Sequence, residues 1–95
     1  MAAYIIAEIE VQDPKTYEEY RRGVQPTIDQ YGGRFLVRGG QAELLEGSQQ
    51  PRRVVVLEFP DMARLRAWYD SPEYRPLRDL RQRASVGRFI RVEGI

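Results

Sequence analysis

The chain contains no cysteine, no histidine and no asparagine. Without cysteine there is no disulfide framework and no thiolate to act as nucleophile or ligand. Without histidine there is no proximal imidazole for haem, no Ser-His or Cys-His relay and no His/Cys cluster for zinc. Carboxylates alone can hold magnesium or calcium, but no loop carries them at ligand spacing. No metal or other cofactor is therefore expected. The glycine pairs Gly32-Gly33 and Gly39-Gly40 lack the spacing and the following Lys-Ser/Thr of a phosphate loop. Long apolar runs are missing as well. The first residues lead straight into an alternating strand pattern that Glu8 and Glu10 interrupt, with no basic segment ahead of it. Neither a signal peptide nor a membrane span is expected, and a cysteine-free chain of this kind fits the cytoplasm.

The 95 residues carry 15 basic and 14 acidic side chains, a net charge of +1. That balance argues against nucleic acid or a membrane surface as a general partner. It is uneven along the chain: residues 1–50 hold 5 basic and 8 acidic groups, residues 51–95 hold 10 and 6. Much of the basic excess is Arg75, Arg78, Arg81 and Arg83, which reads as a solvated helix face or as an anion-facing patch. The length predicts one domain, residues 1–95, with a core that is marginal on its own.

Ala3 to Val11 alternates as a strand, with Ile5, Ala7, Ile9 and Val11 on one side and Tyr4, Ile6, Glu8 and Glu10 on the other. Asp13-Pro14 opens a helix, as N-cap and first helical residue. Tyr17, Tyr20, Val24, Ile28 and Tyr31 recur at helical spacing until Gly32-Gly33, and Pro26 should kink or split that helix. Arg34 to Arg38 is a second strand. Residues 41–51 resemble a hairpin arm in which Leu44-Leu45 could add a short strand. Arg53 to Phe59 is a valine-rich third strand, Asp61 to Asp70 a second helix, and Ser71 caps a further helical piece from Pro72 with Tyr74, Leu77, Leu80 and Ala84 as its apolar stripe. Arg88 to Glu93 is the last strand. Gly33-Arg34-Phe35-Leu36 and Gly87-Arg88-Phe89-Ile90 close the two halves as a weak internal repeat.

The order β-α-β-β-α-β predicts a ferredoxin-like α+β sheet with its helices on one face. The other face then presents Tyr4, Ile6, Glu8, Arg34, Leu36, Arg38, Val54, Val56, Glu58, Arg88, Ile90 and Val92, more than half of them apolar or aromatic. Such a patch is a liability for a monomer, and pairing with a second copy covers it, so a homodimer is expected.

Several stretches resemble a known family. They are Asp13-Pro14, the run from Gly32 to Gly40, Leu45-Glu46-Gly47, Glu58-Phe59-Pro60, Trp68-Tyr69, Ser71-Pro72-Glu73-Tyr74, Arg81 and Val92-Glu93-Gly94. In that order they are similar to a bacterial family known only as a domain of unknown function, the one numbered thirteen-thirty. The resemblance implies a dimeric α+β barrel and brings no established reaction. Relatives in that superfamily include cofactor-free monooxygenases of aromatic polyketides, lactone isomerases and haem enzymes. Those monooxygenases use Asn, His and Trp together, and only Trp68 could be matched here.

The groups left for chemistry are Glu8, Glu58, Arg34, Arg38 and the aromatic side chains. Glu8 and Glu58 are the candidate catalytic carboxylates, since a partly dry barrel raises a carboxyl pKa towards that of a base. Arg34 and Arg38, expected on the same side, could clamp a substrate carboxylate bidentately. Tyr4 shares that side. Alternatively these charges pair with one another across the sheet or the dimer. Trp68 and Tyr69 are either core or the wall of a pocket for a flat ligand. Tyr17, Tyr20 and Tyr31 read as core or interface, and Glu73 as a charge favoured at a helix N-terminus. Three readings stand side by side: a cofactor-free enzyme acting on a small organic acid or aromatic compound, a non-catalytic ligand-binding module, and an interaction protein.

Overall fold

Residues 1–95 are all described in the computed structural model. The chain runs β1 (Ala3–Val11), α1 (Pro14–Gln30), β2 (Arg34–Arg38), β3 (Arg53–Phe59), α2 (Met62–Tyr69), α3 (Arg75–Ala84) and β4 (Ser85–Glu93). The four strands form one antiparallel sheet in the order β2-β3-β1-β4. The inner row of β1 (Ala3, Ile5, Ala7, Ile9) and of β3 (Val55, Leu57, Phe59) is buried beneath the helices. With helices on that face only, the molecule is a slab of 35 × 35 × 16 Å. This is the ferredoxin-like α+β arrangement that the element order predicts.

The helix boundaries follow from local chemistry. The Asp13 carboxylate accepts from the Thr16 N–H at 3.2 Å and the Thr16 hydroxyl at 2.7 Å, which satisfies the first turn of α1. At the other end Gly32 takes a left-handed φ of 78°, and Gly33 N–H donates to the Ile28 carbonyl at 3.0 Å. That bond closes a Schellman turn. Asp61 caps α2 through the Arg64 N–H at 2.7 Å. Ser71 joins α2 to α3: its hydroxyl donates to the Trp68 carbonyl at 2.7 Å and accepts from the Tyr74 N–H at 3.1 Å.

Four expectations need correction. Pro26 does not split α1, which runs unbroken from Pro14 to Gln30. The proline is exposed, so the Arg22 carbonyl that loses its helical partner can turn to water. Leu44-Leu45 forms no strand; residues 39–52 are irregular, and Leu45 is left in solvent. β4 starts at Ser85 rather than Arg88, because Val86 and Gly87 pair with Glu10 and Ile9. Gly87 is thus a strand residue, and a side chain there would run into the Glu8 carbonyl.

The fourth correction bears on the site. The β2–β3 register slips between Phe35 and Val37, leaving Leu36 as a bulge. Arg34 faces the open side opposite Glu58, but beyond the bulge Val37 takes the open side and Arg38 turns under the helices. There Arg38 donates to the Arg21 carbonyl at 3.1 Å and lies 4.2 Å from the Phe35 ring centre. Arg34 and Arg38 do not share a face.

Candidate functional site

Concave regions lie on both sides of the sheet. On the open side the sequence repeat becomes a spatial one. Arg34 sits opposite Glu58 and Arg88 opposite Glu8, while Phe35 and Phe89 both turn to the helix side. The two pairs differ. Arg34 Nε and Nη2 both reach Glu58 Oε1 at 2.8 Å. That bond, reinforced by one from Tyr4, holds the Glu58 carboxyl below its usual range. The same bond to Glu58 pushes the Tyr4 phenol up. Glu58 and Arg34 therefore behave as a cross-strand ion pair, with Tyr4 as its companion. Glu8 is not among the five ion pairs of the protomer. It opens on a polar hollow of about 560 Å³, with Arg88, Arg52, Gln49 and Gln50 around it. The two carboxylates are not brought together. Glu58 faces Tyr4, four residues along β1 from Glu8, which is about 13 Å at strand rise.

On the helix side the layer formed by α2 and α3 stops short of β4 and leaves a groove. Its apolar end, about 160 Å³, is walled by Ile5, Leu65, Tyr69 and Phe89. Its wider end, about 400 Å³, shares Tyr69 and Phe89 and adds Arg81, Gln82 and Ser85. Trp68 does not line this groove. It is fully buried, its ring centre 4.0 Å from that of Tyr74, and its indole N–H donates to Thr27 Oγ1 at 3.0 Å. Of the aromatic pair only Tyr69 reaches the surface. Tyr17 and Tyr20 are core, as their spacing predicts, and the half-buried Tyr31 donates its hydroxyl to Glu73 at 3.3 Å.

Arg81 and Tyr69 connect the groove to a buried polar cluster beneath it. Tyr20 and Tyr74 hydroxyls meet at 3.0 Å, Arg81 Nε donates to the Tyr74 oxygen at 3.3 Å, and Arg81 Nη2 reaches the Tyr69 oxygen at 3.5 Å. The guanidinium stacks on Phe89, 3.8 Å from the ring centre. Burial drives the Tyr20 phenol well above its ordinary value and raises that of Tyr74. Burial also pulls against the Arg81 charge, but the phenol oxygens of Tyr74, Tyr20 and Tyr69 outweigh it and leave the guanidinium more firmly protonated than usual. No three acidic side chains lie close enough together to hold a metal ion. No helix is long and apolar enough to cross a membrane.

Arg81 and Phe89 are the residues that the sequence reading missed as site candidates. A signal was present. Tyr74, Leu77, Arg81 and Ala84 lie at i, i+3, i+7 and i+10, one helical stripe, and an arginine on a core stripe calls for a reason.

Strand order and one-sided helices define a class, the ferredoxin-like α+β fold. Within it, the chain belongs to the family described as Domain of unknown function (DUF1330), which matches residues 2–95. Solved structures with this fold include RPA0582, a protein of unknown function from Rhodopseudomonas palustris, with a TM-score of 0.80 at 21% identity over 99% of this chain and 82% of that one. A dimeric ferredoxin-like protein of unknown function from Jannaschia sp. CCS1 matches with a TM-score of 0.76 at 12% identity, covering 99% of this chain and 100% of that chain. SnoaB, a cofactor-independent oxygenase from Streptomyces nogalater, matches at 0.66 and 13% identity over 99% of this chain and 93% of its own. At these identities the likeness is one of fold. No curated protein matches the chain.

Proposed function

We propose that the protein is a homodimer that binds a small organic ligand, an organic acid or aromatic compound, in the helix-side groove of each protomer. The groove carries this reading: an apolar end walled by aromatic rings runs into a wider end with a few placed polar groups, the usual make-up of a small-molecule site. The dimer is supported by the open face, where Ile6, Leu36, Val37, Ile90 and Val92 stay exposed around the Arg34–Glu58 pair, and by the dimeric ferredoxin-like protein from Jannaschia. Pairing two such faces removes a continuous apolar surface from water.

A second, catalytic reading, at a separate site on the opposite side of the sheet from the groove, is favoured by Glu8, which has no ion-pair partner and sits in a polar hollow on the face that the dimer would close. There it would serve as the base of a cofactor-free reaction, with Arg88 beside it as the cation. Glu58, already neutralised by Arg34, is the weaker candidate.

Light scattering at micromolar concentration should give about twice the 11.1 kDa protomer mass, and Ile6→Arg, at the centre of the open face, should give the protomer mass. A monomeric wild type would overturn the dimer. A thermal-shift screen of small aromatic compounds, acidic and neutral, should yield hits whose stabilisation is lost in Tyr69→Ala. Absence of any hit, or hits indifferent to Tyr69, would overturn the groove as the site.

A further inference from the structure

We infer that Arg81 makes the groove a carboxylate site, with small aromatic monocarboxylates as its ligand class. The inference rests on the reading of the groove as a ligand site and names the chemistry of that site.

Arg81 is only 6% exposed, yet no carboxylate neutralises it within the protomer. Its hydrogen-bond acceptors are the Tyr74 and Tyr69 hydroxyls, which are neutral. They answer for two donors and leave the positive charge without a counter-ion. A buried charge of this kind is costly unless something of opposite sign meets it. Nη1 donates to no protein atom, and it is not one of the polar atoms sealed from solvent without a partner, which are Arg21 Nε and Arg53 Nε. It therefore keeps contact with solvent, and Arg81 is one of the residues that line the groove. The guanidinium carbon lies 3.8 Å from the Phe89 ring centre, and Nε and Nη2 are tied to Tyr74 and Tyr69, so the guanidinium fork is held in place at the groove. A planar carboxylate is the anion that matches such a fork.

The rest of the groove agrees. Neither end is lined by Asp or Glu, while Arg91 adds a second cation beside the apolar end. That end, at about 160 Å³, has the size of an apolar cavity that takes one benzene ring, about 150 Å³. Tyr69 and Phe89 border both ends, so a ring seated among Leu65, Tyr69 and Phe89 has its substituent directed towards Arg81. Arg81 is the buried cation of the groove and balances one negative charge, whereas Arg91 is exposed and screened by water, which favours a monoanion.

The test uses titration calorimetry and Trp68 fluorescence on the full chain with benzoate, benzamide, benzyl alcohol and acetate. Benzoate should bind at least ~10-fold more tightly than benzamide, and acetate, which lacks the ring, more weakly than either. Arg81→Lys should weaken benzoate by ~10-fold or more and leave benzamide unchanged, since lysine keeps the charge and loses the fork. Should Arg81 variants fail to fold, Tyr69→Phe keeps the ring and removes one hydroxyl, and it should lower benzoate affinity alone. Equal binding of benzoate and benzamide, or benzoate affinity untouched by both substitutions, overturns the carboxylate site while the groove survives as a ligand site. Failure of all four probes to bind overturns both.

Discussion

Removing one oxygen atom from Tyr74 should cost far more than removing one from Tyr20, although the two hydroxyls share a hydrogen bond. Both rings are buried, and their hydroxyls meet at 3.0 Å. In Tyr20→Phe, that neutral pair is lost but Tyr74 still accepts from Arg81 Nε, so the cost is about 1 kcal/mol. In Tyr74→Phe, the same pair is lost and Arg81 Nε, a buried charged donor, loses its acceptor. A stranded charged donor adds about 2 kcal/mol, for a total of about 3 kcal/mol. For a domain of this size each kcal/mol is worth ~4–8 °C in Tm, so the two variants should melt about 8–16 °C apart. Urea denaturation followed by fluorescence of Trp68, whose ring lies 4.0 Å from that of Tyr74, measures the difference at matched protein concentration. Arg81→Met completes the cycle. With the cation gone, Tyr74→Phe should cost only about 1 kcal/mol, a coupling of about 2 kcal/mol. If Tyr74→Phe is no costlier than Tyr20→Phe, or costs the same with and without Arg81, then Tyr74 does not hold the guanidinium and the account of the cluster fails.

Ser71→Ala removes the hydroxyl that ties the end of α2 to the start of α3 and leaves the Tyr74 N–H unpaired in the interior; a loss of about 2 kcal/mol in chemical denaturation is expected, and under 0.5 kcal/mol would contradict the bridging role. The depressed Glu58 pKa fixes a sign: its stabilising contribution is complete above the unfolded carboxylate range, about 4.3, and is lost as the pH falls through the folded value. Glu58→Gln should therefore lower Tm at pH 7, approach wild type below pH 3 and flatten the acid slope between; an unchanged slope in a Tm series from pH 7 to 2.5 would place the Arg34–Glu58 pair in solvent.

Much of the architecture is legible without coordinates, because it depends on short-range patterns. The alternation of β1, the Asp13 cap and the Schellman end at Gly32-Gly33 are local, and they delimit the first β-α unit closely. The repeat Gly-Arg-Phe was legible as a string, and its meaning followed from strand parity: arginine to the open face, phenylalanine to the core. Legibility ended where a partner strand or a helix phase intervenes. Counting twos from Arg34 puts Arg38 on the open face, a count that holds only in an unbroken ladder; β3 sets the register, and the bulge at Leu36 reverses everything after it. On α3, hydrophobicity favours Leu80 for the inner stripe, whereas the helix phase places Arg81 there, buried beside Ala84.

What the sequence determined by itself, then, is the order of elements and the chemistry that is absent: composition rules out thiolate and imidazole mechanisms whatever the fold, and periodicity depends only on neighbours a few residues away. Tertiary structure alone decided which charged groups meet. Glu58 is neutralised by Arg34 and Glu8 is not, Trp68 is sealed while Tyr69 is open, and Arg81 lies among three phenols with no carboxylate. Those pairings join residues far apart in the chain. They are fixed by packing of the helix layer on the sheet, to which no local pattern has access.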